Sequence, residues 1–360
     1  MTAQFRIQRT TSPKPARAAN ETPAFGTVFT DHMCLIDFHE GKGWHDARIV
    51  PYGGMPADPA STVLHYGQAI FDGLKGFRGQ DGVIRLFRPR AHAERLNRSA
   101  ERLCIPALDV DTVVETFVRL VDIDRDWVPS APGTAIYLRP TVIANENYLG
   151  VRPAHAYTYF LILSPVGAYY AEGTAPVAIL VEDELVRAAP GGLGAAKTPA
   201  NYAASLLAAE RAKKKGYTQV LWLDAVHRKY LEEVGTMNIM VKIAGEVITP
   251  PLSDSILAGV TRDSVLTLLK DWGVKTSERP VSIDDVAEAA AKGTLEEMWG
   301  TGTAAVVSPV GRLGYKGKDI TINGGKTGPL TQKLYDSITA IQYGKAPDPH
   351  GWTMPVMPAR

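Results

Sequence analysis

Cysteine is nearly missing from this chain of 360 residues, with Cys34 and Cys104 its only two. Two thiols cannot build a disulfide framework, and neither has a partner Cys or His at zinc-site spacing, so a stapled fold is excluded and a reducing cytoplasm fits. Charge of one sign is also missing. Lys and Arg number 39 against 38 Asp and Glu, a net +1, so no global field recruits nucleic acid or an acidic membrane. No apolar run reaches the length of a membrane span; the longest, 157–166, is interrupted by Ser164 and Pro165 and suits a buried strand. The eight histidines are scattered without a pair at helical ligand spacing, which predicts no metal site. Internal repeats are absent as well, which excludes solenoids and propellers.

What is present describes an ordinary globular chain, 45% hydrophobic and 21% charged, long enough for two domains. Residues 1–24 read as a disordered arm. Arg6, Arg9, Lys14 and Arg17 stand there without an acid up to Asn20, a transit-peptide composition, but Pro13 and Pro15 break any amphipathic helix. A smaller domain is expected over 25–169, where strand-like runs at 83–87, 135–142 and 156–163 flank a helix at 91–104. Ala93, Leu96, Ala100 and Leu103 share one face of that helix, opposite Arg95, Arg98 and Arg102. Residues 170–176 read as a linker, and 177–360 as a larger domain.

In that larger domain a strand is expected at 177–181, and a helix over 201–215 ends in three lysines and Gly216. A strand at 218–223, a hairpin at 239–249 turning at Ala244-Gly245, a helix from Gly259 to Trp272 and a final helix from Pro329 follow. Gly300 to Ala304 reads as a glycine turn leading into a strand. Strands alternating with helices make the class α/β.

Two segments carry chemistry. Gly191-Gly192-Leu193-Gly194-Ala195-Ala196-Lys197-Thr198 sets a lysine on a glycine-rich run, and Leu231-Glu232-Glu233-Val234-Gly235-Thr236-Met237-Asn238 sets a carboxylate beside a tight turn. Pyridoxal 5'-phosphate (PLP) chemistry needs both, an amine to condense with the cofactor and an anion to keep its ring nitrogen protonated. The first segment also approximates the phosphate loop of an ATPase, with 220–224 as its magnesium-binding strand, but Ala196 stands where that loop requires glycine. Gly259-Val260-Thr261 opens a helix whose free amides favour an anion, unless Thr261 merely caps it. With the turn at 300–304 and Arg95 as a clamp, these loops could hold a phosphate and a carboxylate.

These strings, together with His65-Tyr66, Phe71-Asp72-Gly73-Leu74-Lys75, Tyr137-Leu138-Arg139-Pro140, Leu149-Gly150-Val151 and Gly302-Thr303-Ala304, resemble the branched-chain amino acid aminotransferases of PLP fold type IV. The resemblance runs in order from Phe25 to Trp352. It implies two α/β domains with the cofactor in the interdomain cleft, and reversible amino transfer between Leu, Ile or Val and 2-oxoglutarate. Lys197 would be the catalytic lysine, bonded to PLP and then carrying the proton. Glu233 would hold the ring nitrogen, Tyr202 the ring phenolate oxygen, and Arg95, Val260, Thr261 and Thr303 the phosphate, with Thr236 near the ring.

For the substrate, the resemblance places Phe71, Tyr137, Thr303 and Ala304 around the side chain and carboxylate, with Tyr66 and Arg139 close by. It implies a homodimer in which Leu149 and Val151 enter the neighbouring site. Two departures stand out. Pro199-Ala200 replaces the usual pair of glycines after the lysine, and Ala305 and Ser308 occupy the places of the mammalian thiol pair. Another fold type IV activity, a D-amino acid transaminase or an aminodeoxychorismate lyase, is the nearest alternative. The ATPase is the alternative of a different class.

Overall fold

Period-two alternation of apolar residues builds the sheet of the first unit. The computed structural model describes residues 4–15, 23–167 and 175–358. It divides into a unit of Met1–Tyr169, Ala196–Pro199 and Ala340–Arg360 and a unit of Tyr170–Ala195 and Ala200–Thr339. The expected larger domain, 177–360, therefore gives up its last segment and the Lys197 segment to the first unit. The expected linker at 170–176 falls largely outside the described residues.

The first unit contains β1 (Arg6–Ile7), β2 (His32–His39), β3 (Gly43–Pro51), β4 (Ala69–Phe71), β5 (Leu74–Arg78), β6 (Ile84–Phe87), β7 (Ala135–Ala144) and β8 (Ala156–Val166). Their order is β1-β3-β2-β8-β7-β5-β6, with the chain's last strand, Thr353–Val356, beyond β6 and β4 beside β7. Helices α1 (Thr62–Tyr66), α2 (Pro89–Arg102) and α3 (Val110–Ile123) complete it. Ala93, Leu96 and Ala100 of α2 and Val113, Phe117, Leu120 and Val121 of α3 share a core with Ile136, Leu138, Leu161 and Leu163 of the sheet. Helix α3 escapes pattern reading because its valines and threonines also suit a strand. The Asp109 carboxylate starts it by accepting the Thr112 amide.

Part of the arm expected to be disordered is ordered. β1 pairs in parallel with β3, the Thr10 amide donates to His32 Nε2, and Lys14 donates to the carbonyls of Phe29 and Thr30. The prolines that forbid a helix are compatible with an extended edge strand. Cys34 is buried in β2, whereas Cys104 is exposed past the end of α2 with φ 54°.

The second unit contains β9 (Val177–Glu182), β10 (Gln219–Leu223), β11 (Leu231–Val234), β12 (Met237–Ile243), β13 (Glu246–Thr249), β14 (Thr276–Glu278), β15 (Leu295–Gly302), β16 (Val306–Tyr315) and β17 (Lys318–Thr321). Their order is β11-β10-β9-β16-β15-β12-β13-β14, and β11 also pairs with β12, closing part of the sheet into a ring. Ile179, Val181, Leu221, Leu223, Ile239 and Val241 share one core, as alternation requires. The opposite face of β10, Val220 and Trp222, packs on Ala208 and Ala212 of α4 (Pro199–Lys214). Helices α5 (Val260–Asp271), α6 (Ile283–Ala291) and α7 (Pro329–Gln342) follow. The expected glycine turn lies slightly later, at 303–305. Gly300 and Gly302 are inside β15, where a Cβ on Gly300 would meet Met237 Cε at 2.7 Å, so glycine there permits close packing rather than a turn. No helix among the described residues is long and apolar enough to cross a membrane.

Candidate active site

Lys197 is fastened to the first unit through its backbone. Its amide donates to the Ser99 hydroxyl of α2 at 2.9 Å, its carbonyl accepts the Phe71 amide, and the Thr198 hydroxyl donates to the Ala69 carbonyl. The Lys197 amine lies 5.1 Å from the Phe71 ring centre. Burial, and then the positive charge of Arg95, lower its pKa to about 8. An amine held near neutrality supplies the unprotonated form that attacks a carbonyl.

Arg95, expected opposite the apolar face of its helix and as a clamp for an anion, is buried, 4% exposed. His92, Arg95 and Ser99 follow i, i+3, i+7 spacing and make a polar stripe beside the apolar one. The fully buried Asp72, at the turn from β4 to β5, accepts from Arg95 Nε and Nη2, both at 2.8 Å, and from the Gly73 amide. Its Oδ1 also lies 2.7 Å from His92 Nδ1. Burial pushes the Asp72 carboxyl up, but Arg95 and His92 outweigh it and hold the group below the usual carboxylate range. His92 titrates below its ordinary value, chiefly through burial.

Aromatic side chains gather nearby. Tyr137 of β7 meets Phe25 edge-on at 4.8 Å, and the Arg139 guanidinium lies over the rings of Phe71 and Tyr137 at 4.7 and 5.2 Å. Arg139 Nη2 donates to the Tyr137 hydroxyl at 3.0 Å, while its buried Nε has no hydrogen-bond partner. Tyr66 ends α1 and donates to the Leu149 carbonyl. The loop that carries Leu149 and Val151 is held by Thr62 on the Glu146 carbonyl and by Arg152 on the Glu146 carboxylate. Val151 is nonetheless 85% exposed.

In the second unit, a bulge decides the geometry of the acidic segment. Leu221 pairs with Val234 and Leu223 with Leu231, so β11 carries one residue more than β10 between the pairs. Leu231 and Val234 both enter the core, which turns Glu232 and Glu233 to the same side. Glu233 accepts the Leu257 amide at 2.9 Å and pairs with Arg187 at 3.2 Å. Glu232 accepts from the Ser255 hydroxyl, and its Oε2 is buried without a hydrogen bond. Burial raises its pKa to about 7, against the opposing pull of Ser255 and Arg187.

The remaining expected residues lie in the same unit. Thr236 is exposed in the two-residue turn from β11 to β12, Tyr202 is half-buried in the first turn of α4, and Thr303 and Ala304 are half-buried in the turn after β15. Val260 and Thr261 are buried in the first turn of α5. Gly259, not Thr261, is the N-cap of α5 and offers no side chain, which leaves capping by Thr261 without support. A Cβ on Gly259 would meet Asn238 Oδ1 at 2.0 Å. The Lys197 amine of lowered pKa in the first unit and, taken by itself, the paired Glu233 carboxylate of the second are each of the chemistry that PLP requires.

The phosphate-loop reading fails on the same grounds. Four of the eight amides in 191–198 are spent inside the protein: Gly192 on Ala189, Ala195 on Asp254, Lys197 on Ser99 and Thr198 on Ala196. Amides so engaged cannot cradle a nucleotide. Sequence reading passed over Asp72, His92, Ser99, Phe25, Arg187, Ser255 and the separate situation of Glu232. For the helix residues the i, i+3, i+7 stripe was the available signal.

A two-unit α/β protein with a half-buried lysine whose amine is of lowered pKa has the makings of an enzyme that handles carbonyl and amino groups. The chain belongs to the amino-transferase class IV family, whose model matches residues 69–313. It is 52% identical to "Branched-chain-amino-acid aminotransferase 2" of Bacillus subtilis, over 99% of this chain and 98% of the relative. Among solved structures, the branched-chain amino acid aminotransferase of Escherichia coli is similar with a TM-score of 0.76 at 26% identity, covering 89% of this chain and 99% of that one. The branched-chain amino acid aminotransferase of Thermobaculum terrenum in its PLP form shares the fold, with a TM-score of 0.73 at 23% identity, covering 90% and 98%.

Proposed function

We propose that this chain is a PLP-dependent transaminase that exchanges the amino group of leucine, isoleucine or valine with 2-oxoglutarate. The observation that carries the reading is the Lys197 amine, buried beside Phe71 with its pKa lowered to about 8. Bound PLP supplies an aldehyde that condenses with amines and a ring that draws electrons from the amino acid's α carbon. Lys197 would supply the amine that holds the cofactor and would carry the proton at that carbon. Glu233, which accepts the Leu257 amide and pairs with Arg187, would hold the ring nitrogen. By the family resemblance Tyr202 would hold the ring oxygen, Thr236 would stand near the ring, and Arg95, Val260, Thr261 and Thr303 would hold the phosphate.

Phe71 and Tyr137, joined by Phe25, offer an apolar wall to a branched side chain with little rotational entropy to lose. Arg139, with its buried Nε unpartnered, is the group for the distal carboxylate of glutamate, seconded by Tyr66; Thr303 and Ala304 take the substrate carboxylate. The substrate class follows the names of the relatives. A homodimer is part of this reading, because a tethered loop that exposes Leu149 and Val151 suits burial by a second copy. A cytoplasmic location fits the two unpaired cysteines.

Borohydride reduction of protein loaded with PLP tests the reading. Peptide mapping is expected to find the pyridoxyl group on Lys197, and leucine with 2-oxoglutarate should yield glutamate. A label on Lys75, the other lysine whose pKa burial lowers to about 8, would overturn the lysine assignment.

A further inference from the structure

We infer that Asp72 is a positioning residue of the lysine cluster: its carboxylate sets the direction of the Arg95 guanidinium and balances its charge beside Lys197. The inference rests on the assignment of Lys197 and Arg95 to cofactor binding and adds a residue to which the sequence reading gave no role. Asp72 is fully buried, and both its oxygens are committed. Oδ2 accepts from Arg95 Nε, and Oδ1 from Arg95 Nη2, the Gly73 amide and His92 Nδ1, all between 2.7 and 2.8 Å. A carboxylate can only accept, so His92 carries its hydrogen on Nδ1 and is bound as a donor. A guanidinium gripped along its Nε and Nη2 edge can turn about no bond without breaking two charge-assisted hydrogen bonds, so its remaining N–H groups keep one direction.

The same atoms reach Lys197. The residue before Asp72, Phe71, donates its amide to the Lys197 carbonyl and its ring faces the Lys197 amine; Ser99, one turn beyond Arg95, accepts the Lys197 amide. The groups that act on the amine are Arg95 and His92 from α2, Tyr137 and Arg139 from β7, and Asp72. Asp72 is the carboxylate among them. Without it, no carboxylate would oppose Arg95 and Arg139 at the amine, and the buried Arg95 guanidinium would lose its counter-charge.

Competitive acetylation of the apoprotein, followed by peptide mass measurement over a range of pH, reads the charge balance at Lys197. Asp72→Asn should lower the midpoint for Lys197 below that of the natural protein and so raise its labelling at pH 7 by several-fold, since one unit of pKa is about tenfold in the free amine. Arg95→Met should move the midpoint the other way, and the double variant should return it towards the starting value. The double variant also guards against a misfolded single one, because it removes the buried Asp72–Arg95 ion pair as a unit. The directional part is read from the affinities of the apoprotein for PLP and for pyridoxal, which lacks the phosphate. Asp72→Asn should weaken PLP about tenfold more than pyridoxal. An unmoved midpoint in Asp72→Asn and Arg95→Met, or equal losses for PLP and pyridoxal, would overturn the inference. A borohydride label away from Lys197 would instead overturn the functional reading, and the apoprotein midpoints would remain interpretable.

Discussion

Asp72 and Glu232 are both buried carboxylates, yet Asp72 meets a guanidinium, an imidazole and an amide, whereas Glu232 meets the Ser255 hydroxyl and leaves Oε2 unbonded. Burial pushes both groups up. For Asp72 the arginine and the histidine together outweigh burial, and for Glu232 its partners do not, so one stays charged and the other titrates near 7. Glu232 also has the like-charged Glu233 as its chain neighbour, and the bulge in β11 puts both on one side. A buried charge persists where a full set of donors surrounds it, and two adjacent acids with one shared arginine cannot both be so served.

The comparison breaks first at Lys197, where the cluster around Asp72 acts. Lys197→Ala should lower transamination by roughly 10³-fold or more while the protein stays folded, because it removes both the nucleophilic amine and the proton carrier. Steady-state rates together with circular dichroism check this. A smaller loss is expected for Glu233→Gln, on the order of 10²-fold in kcat with PLP still bound, as an amide stabilises a protonated ring nitrogen less well than a carboxylate. Near-normal kcat would shift that role to Glu232.

Glu232→Gln sharpens the contrast through stability instead of rate. With a pKa of about 7 in the folded protein and 4.5 as the ordinary value, the folded state binds more protons than the unfolded one between those limits. Stability from this group therefore falls as pH rises from about 4.5 to about 7, and the loss is complete above 7. It amounts to at most about 3 kcal/mol. Glutamine keeps an acceptor for Ser255 without the charge, so the variant should be the more stable at pH 8 and lose its advantage towards pH 4.5. Thermal unfolding at both pH values measures it; a variant less stable at pH 8 would contradict the account.

The smallest effect is expected at the thiols. Burial pushes the Cys34 thiol up to about 12, and Ala305 and Ser308 have no sulfur to couple. Mild peroxide should leave activity almost unchanged, with or without added dithiothreitol. A large loss that dithiothreitol reverses, mapped to exposed Cys104, would show that this residue communicates with the site.

The sequence alone determined the helices and strands whose periodicity is local. Helix α2 was expected over 91–104 and spans Pro89–Arg102, and the hairpin of β12 and β13 turns at Ala244-Gly245 as expected. Ordered strings also sufficed to nominate Lys197 and Glu233, since chemistry restricts which residue types can stand there. Tertiary structure alone decided the rest. Arg95 lies inside because Asp72, distant in sequence, provides its counter-charge; Arg6 and Ile7 of the arm form a strand because the edge of β3 accepts them; and Glu232 parts from Glu233 in its chemistry because of what each meets across the fold. Backbone periodicity is set by neighbours along the chain, whereas the burial of a charge depends on partners that only folding brings within hydrogen-bonding distance.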